Sequence, residues 1–153
     1  MNSVHYRYLT YLCRGLGVLL LAWPFVPPAL RAFGLDGAAF WLERPWMLTC
    51  HRLPERTMTF LGEKMPMCSR CAGLDLGAGL GLVLGRPYRG PMFLWVWLAL
   101  ASVLLLVEVY TQGTGLHGIW HPSRLATGML LAFPVGAAVT AIMKRSSLEE
   151  GVS

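Results

Sequence analysis

The chain has 153 residues, of which 55% are hydrophobic and only 14% charged, with a formal charge of +5 at pH 7; soluble globular domains carry roughly 45–50% apolar and about 25% charged residues. That balance excludes an ordinary water-soluble fold, and the length allows one domain. The basic residues sit in short tracts beside apolar runs, a placement of membrane anchors rather than of a nucleic-acid surface, and the sequence holds no nucleotide fingerprint, no phosphate-cradling glycine loop before a lysine and no low-complexity tail.

A hydrocarbon core of about 30 Å needs roughly 20 apolar residues per helix, and the chain contains runs of that kind. Residues 15–33 (GLGVLLLAWPFVPPALRAF) follow Arg7 and Arg14 and are interrupted by Pro24, Pro27 and Pro28, which predicts a kinked first helix. Leu30-Arg31-Ala32 makes a poor cleavage site, so the segment reads as a retained span rather than a leader. Residues 35–49 mix Phe40, Trp41, Trp46 and Met47 with Asp36, Glu43 and Arg44; too short and polar to span, they fit a segment lying at the interface. Residues 50–70 (CHRLPERTMTFLGEKMPMCSR) are polar and irregular, so that 35–71 as a whole forms an interfacial segment and loop with room for a site.

Residues 72–88 are short and contain Asp75, but Gly73, Gly77, Gly81 and Gly85 recur every four residues and form a ridge without side chains against which a neighbouring helix can lie closely. This predicts a central helix shielded by the others. Residues 91–111 make a full span, with Trp95 and Trp97 near one end and Tyr110 near the other. Residues 125–143 make the last, containing Pro134 and closed by Lys144 and Arg145. The expectation is an all-α, single membrane domain over residues 1–153: a bundle of about four transmembrane helices with a cysteine-bearing polar loop between the first and second.

Four spans put both termini on one side, together with the short loop carrying Arg86 and Arg89. Arg7, Arg14, Lys144 and Arg145 collect there too, which makes that side cytoplasmic by the positive-inside rule, although Arg31, Arg44, Arg52, Arg56, Lys64 and Arg70 in the long loop count the other way. In either orientation the long loop, the start of the second helix, the end of the third and the start of the fourth share one membrane face. Cys50, His51, Cys68, Cys71 and Asp75 are thereby gathered with Glu108, His117, His121 and Arg124.

Cys50-His51 followed by Cys68-Ser69-Arg70-Cys71 has the residue types of a tetrahedral zinc site, three thiolates and one imidazole. His51 is the least regular of the four ligands, since adjacent side chains in extended chain diverge. A rival reading is thiol chemistry: a Cys-x-x-Cys opening a helix, with Arg70 between the sulfurs, favours thiolates, and Cys68 and Cys71 could act as a membrane thiol–disulfide oxidoreductase with Cys50 as resolving thiol. A third reading is structural, a module whose cysteines pin the loop and that acts in interactions rather than catalysis. Cys13 reads as a packed thiol. Among charges in apolar runs, Asp75 could orient a ligand, while Glu108 and Arg124 form either a buried ion pair between helices or a catalytic pair beneath the cysteine site. Charges clustered near one face do not outline a path across the membrane, which disfavours transport. Lipid is the expected partner, joined by a second copy of the chain or another membrane protein.

Cys50-His51, Pro54-Glu55-Arg56-Thr57, Cys68-Ser69-Arg70-Cys71-Ala72-Gly73, Glu108 and Arg124-Leu125-Ala126-Thr127-Gly128 together resemble a bacterial and archaeal family of small integral membrane proteins of unknown function. Its pattern differs in having Gln where Arg52 stands, an aromatic at Asp75 and Asp at Glu108. The resemblance implies a multi-pass protein of the cell membrane with a site at the cysteines, and implies no reaction.

Overall fold

A computed structural model describes residues 3–85 and 90–149, with side chains over 8–85 and 90–143. Arg86, Tyr88 and Arg89, expected at the end of the second helix and in its loop, lie outside the described residues, as do the side chains of Arg7, Lys144 and Arg145. The protein is mainly helical: α1 Ser3–Ala22, α2 Val26–Ala32, α3 Asp36–Met47, α4 Ser69–Leu84, α5 Pro91–Gly113 and α6 His121–Glu149.

The prolines of the first run act locally. Pro24 sits in a tight 3-10 turn, Trp23–Phe25, that joins α1 to α2, and Pro27 and Pro28 fall in the first turn of α2, where a helix has no use for their missing N–H groups. All three are fully buried. The bend thus becomes a packed corner rather than a frayed one. In α3 the residues Ala39, Glu43 and Trp46 are buried, at helical spacing, while Phe40 and Trp41 are exposed. The polar loop is less irregular than expected. Thr59–Phe60 and Glu63–Lys64 pair antiparallel as β1 and β2, and Leu61 and Gly62, both at positive φ, make the two-residue turn that such hairpins prefer.

Among the described residues three stretches are long and apolar enough to cross a membrane: Tyr8–Ala32, Pro91–Gly113 and His121–Met143. Along α5 the buried residues are Ala101 and Glu108, while Leu100, Leu104, Leu106 and Val107 are exposed. An unbroken apolar surface of that extent is what lipid covers and water does not tolerate. α4 has 16 residues, about 24 Å at 1.5 Å per residue, and is not among the three.

α4 makes its main contact along α6, with α1 second, and α5 packs on α6. Small residues set this arrangement from both sides. A side chain at Gly73, Gly77 or Gly81 would run into the α6 backbone at Leu125, Met129 and Phe133, and one at Gly128 or Gly136 would run into the α4 backbone at Arg70 and Ala78. Gly79 and Gly17 make the equivalent close approach between α4 and α1. Gly85, the fourth of the predicted ridge, plays another part: in the left-handed conformation it ends α4 against Thr140. Farther from the loop, the Thr140 hydroxyl donates to Leu82 O at 3.0 Å and the Cys13 thiol lies 3.3 Å from Met143 Sδ, so Cys13 is a packing residue between α1 and α6.

A Cβ at Gly77 would lie 2.5 Å from Met129 O, with backbone on both sides and nowhere to yield. Gly77→Val is expected to lower stability in detergent by about 2 kcal/mol or more, the scale of overpacking, whereas Gly15→Ala, which meets nothing within 4 Å, leaves it unchanged or slightly raised. Thermal melting of the two variants in maltoside micelles measures both.

Candidate functional site

The loop is held by a small core of its own. Trp46, Cys50, Met65, Met67 and Ala72 are buried together, with Trp23 and Phe25 from the proline corner packed against them. The Trp23 and Trp46 rings lie 5.7 Å apart and Phe25 meets Phe60 of the hairpin edge-on at 5.2 Å. Hence the bend in the first span is also the seat of the cysteine loop.

Cys50 follows α3, with its N–H bonded to Trp46 O at 2.9 Å, and Cys68 is the N-cap of α4. The Cys68 N–H donates to the Cys50 sulfur at 3.2 Å, so each helix end is fixed to the other through a thiol. Cys71 lies one turn into α4, its sulfur 3.6 Å from that of Cys68. The sulfurs of Cys50, Cys68 and Cys71 all lie within 4.8 Å of one another. His51 is outside this group: it is exposed and stands on the wall of the adjoining cavity of about 240 Å³, which the three cysteines, Arg70 and Arg124 also line. The hydrogen bond from Cys71, with others from the Cys71 and Arg70 backbone and from Cys50, outweighs burial and lowers the Cys68 thiol to about 4, in the direction expected for a thiol at a helix N-terminus.

Beneath the sulfurs lies a polar cluster joining three helices. Glu108 of α5 accepts hydrogen bonds from Ser123 Oγ at 2.6 Å and Thr127 Oγ1 at 2.9 Å, both on α6. Its ion-pair partner is Arg70, with Nε at 3.2 Å, and not Arg124 as the sequence led us to expect. Arg70 is carried into α4's first turn by the same helix start that presents Cys71, and so reaches α5 first. Gln112 Oε1 accepts from both Arg70 and Arg124 at 3.0 Å, so the two guanidiniums are joined through an amide. Arg124 is only 2% exposed, and its Nε has no hydrogen-bond partner among the described residues.

The expected gathering at one face occurs: the loop, the start of α4, the end of α5 and the start of α6 meet. Ser69 Oγ lies 3.3 Å from His121 Nδ1. His117 stays outside, exposed and bonded to Thr111 at 2.9 Å. Asp75 does not orient a cysteine; it accepts from Trp46 Nε1 at 3.2 Å and ties α4 to α3, because the helix turns it toward α3. Glu43 was read only as one charge among aromatics. It is 1% exposed and receives Arg31 at 2.7 Å and Arg52 at 2.6 Å. The available signal was its spacing from Ala39 and Trp46 on one helix face.

A family described as "Predicted membrane protein (DUF2085)" matches residues 50–138, more than half of the chain. The chain belongs to this family. The DUF2085 match opens at Cys50 and encloses the sulfur cluster, Glu108 and Arg124. An uncharacterized protein of Methanocaldococcus jannaschii is 29% identical over 123 residues, covering 72% of this chain and 77% of that protein. Another, from Methanothermobacter thermautotrophicus, is 32% identical over 99 residues, covering 62% and 84% respectively. No solved structure matches the chain.

If the Cys71 hydrogen bond holds Cys68 as a thiolate, its alkylation by iodoacetamide in metal-free protein stays nearly constant from about pH 8 to about pH 6, above the lowered value. In Cys71→Ala the value rises toward that of an ordinary thiol, and the rate falls by about tenfold per pH unit on acidification. Site-resolved mass spectrometry of quenched samples reads both; a wild-type rate with the same steep fall removes the thiolate.

Proposed function

We propose that the protein is a four-span membrane module whose cysteine loop carries a zinc ion on Cys50, Cys68 and Cys71, with His51 turning in from the cavity wall as the fourth ligand. The observation that carries the reading is the sulfur spacing. Zinc at about 2.3 Å from each ligand sulfur sets tetrahedral sulfurs about 3.8 Å apart, and the 3.6 Å between Cys68 and Cys71, with Cys50 inside the same 4.8 Å group, needs little adjustment. The backbone N–H held by the Cys50 sulfur is the kind of second contact that fixes a ligand's direction. The loop has two strands of two residues each, and an ion closing residues 50–71 supplies the rigidity that so little secondary structure does not.

α4 is the fourth span in this reading. Its 16 residues are short for the bilayer, but it lies against α6 and α1, so its glycines and Asp75 are screened from lipid by helices long enough to cross. Four spans return the chain to the side on which it began, with the termini cytoplasmic and the cysteine site on the opposite face.

Metal analysis of maltoside-solubilised protein made without a histidine tag is expected to find about one equivalent of zinc, lost in Cys68→Ser and in Cys71→Ser and held more weakly in His51→Ala. A metal-free preparation with Cys68 and Cys71 joined as a disulfide would overturn the zinc centre in favour of thiol exchange. The span count has its own test. Reporter fusions at the N- and C-termini both give cytoplasmic signals if α4 crosses; opposite signals mean that it does not.

A further inference from the structure

Four arginines, Arg52, Arg56, Arg70 and Arg124, line the cavity beside the sulfurs, and no acidic residue among the described residues lines it. Two are anchored from behind. Arg52 is held by Glu43 at 2.6 Å and Arg70 by Glu108 at 3.2 Å. Arg56, which is exposed, and Arg124 have no carboxylate partner among the described residues. Arg124 is the more telling of the two. It is 2% exposed, faces this cavity, and spends one nitrogen on Gln112 while its Nε has no partner. A buried guanidinium left short of acceptors costs several kcal/mol unless something supplies them. Even if a metal-bound sulfur trio took up one positive charge, as three thiolates around a divalent ion do, four arginines against two carboxylates leave an excess.

We propose that this cavity binds a phosphate group, with Arg124 and Arg56 as its principal contacts. Arginine is the residue for such a ligand, because its planar fork meets two oxygens of a phosphate at once. Arginines brought together from the loop (Arg52, Arg56), α4 (Arg70) and α6 (Arg124) suit an anion with three or four oxygens better than a single carboxylate. The cavity volume of about 240 Å³ is more than a lone ion fills, so it admits a phosphate carrying a substituent. The same chemistry is offered by a phospholipid headgroup and by free phosphate. The site opens where α4 and α6 begin, at the end of spans that bring headgroups to that level. It is defined by arginines and stands whether or not zinc is present.

The test is calorimetric titration of the full chain in maltoside micelles with two probes, inorganic phosphate and a short-chain, water-soluble phosphatidate, with zinc assayed separately on the same preparation. At least one probe is expected to bind saturably, and Arg56→Gln to weaken it by about tenfold or more, the worth of one charged hydrogen-bonding partner. Arg124→Gln is expected to weaken it further; should that variant fail to fold, exposed Arg56 still decides. Saturable binding of both probes identifies a site for the phosphate group itself, and binding of the phosphatidate alone identifies a headgroup site. Absence of saturable binding by either probe, or equal affinity in wild type and Arg56→Gln, overturns the proposal. So does a loss of zinc in Arg56→Gln without any phosphate binding by wild type, which would assign the arginines to neutralising the sulfurs.

Discussion

The contact of α4 with α6 governs where everything else lies. At their closest approach Gly73, Gly77 and Gly81 from one and Gly128 and Gly136 from the other let backbone rest on backbone. In lipid, where apolar burial gives helices no reason to associate, such close dispersion contact is the attraction that remains. It also fixes register. With Gly73 opposite Leu125 and Gly128 opposite Arg70, a slide by one residue would drive a side chain into a backbone. Cys68, Arg70 and Cys71 at the head of α4 are therefore level with Arg124 and Thr127 in the first turns of α6, and both face the last turns of α5 carrying Glu108 and Gln112.

That register makes a buried charge tolerable. Glu108 would be costly alone at the edge of the hydrocarbon. Here it is met by Arg70, Ser123, Thr127 and Gln112, drawn from all three helices. Each partner is neutral or cationic and each is set at the right height by the glycine contact. In α3 Glu43 performs the corresponding service for Arg52, with Arg31 as its second partner. The two carboxylates behave as posts, one in α5 and one in α3, that aim a guanidinium toward the opening while keeping their own oxygens out of it.

Much of this was legible in the residues. Glycines four apart announced the close helix contact, long apolar runs announced α5 and α6, and the chain order of the helical runs was enough to expect the cysteines beside Glu108 and Arg124. Helix ends were read less well. α1 begins at Ser3, α4 at Ser69 and α6 at His121, all earlier than hydropathy implied, because hydropathy marks the part of a helix that suits lipid and says nothing of polar turns beyond it. The pairing of Glu108 was misassigned for a related reason. Arg70 had been counted with the loop, and only the extension of α4 back to Ser69 puts it on a helix facing α5. Glu43 was hidden by its aromatic neighbours, since a charge among Phe40, Trp41 and Trp46 reads as interfacial, whereas the helix turns Glu43 inward beside Trp46.

The position of Arg70 links the two parts of the site. It stands between Cys68 and Cys71, so its backbone is fixed wherever those sulfurs are fixed, while its guanidinium reaches Glu108 and Gln112 at 3.2 Å and 3.0 Å. An ion on the sulfurs would tighten the first turn of α4, and that turn carries Arg70. Gln112 in turn is shared with Arg124, which lines the cavity. A change in the spacing of the thiols, by metal or by oxidation, would thus reach the arginines through one turn of helix and one amide.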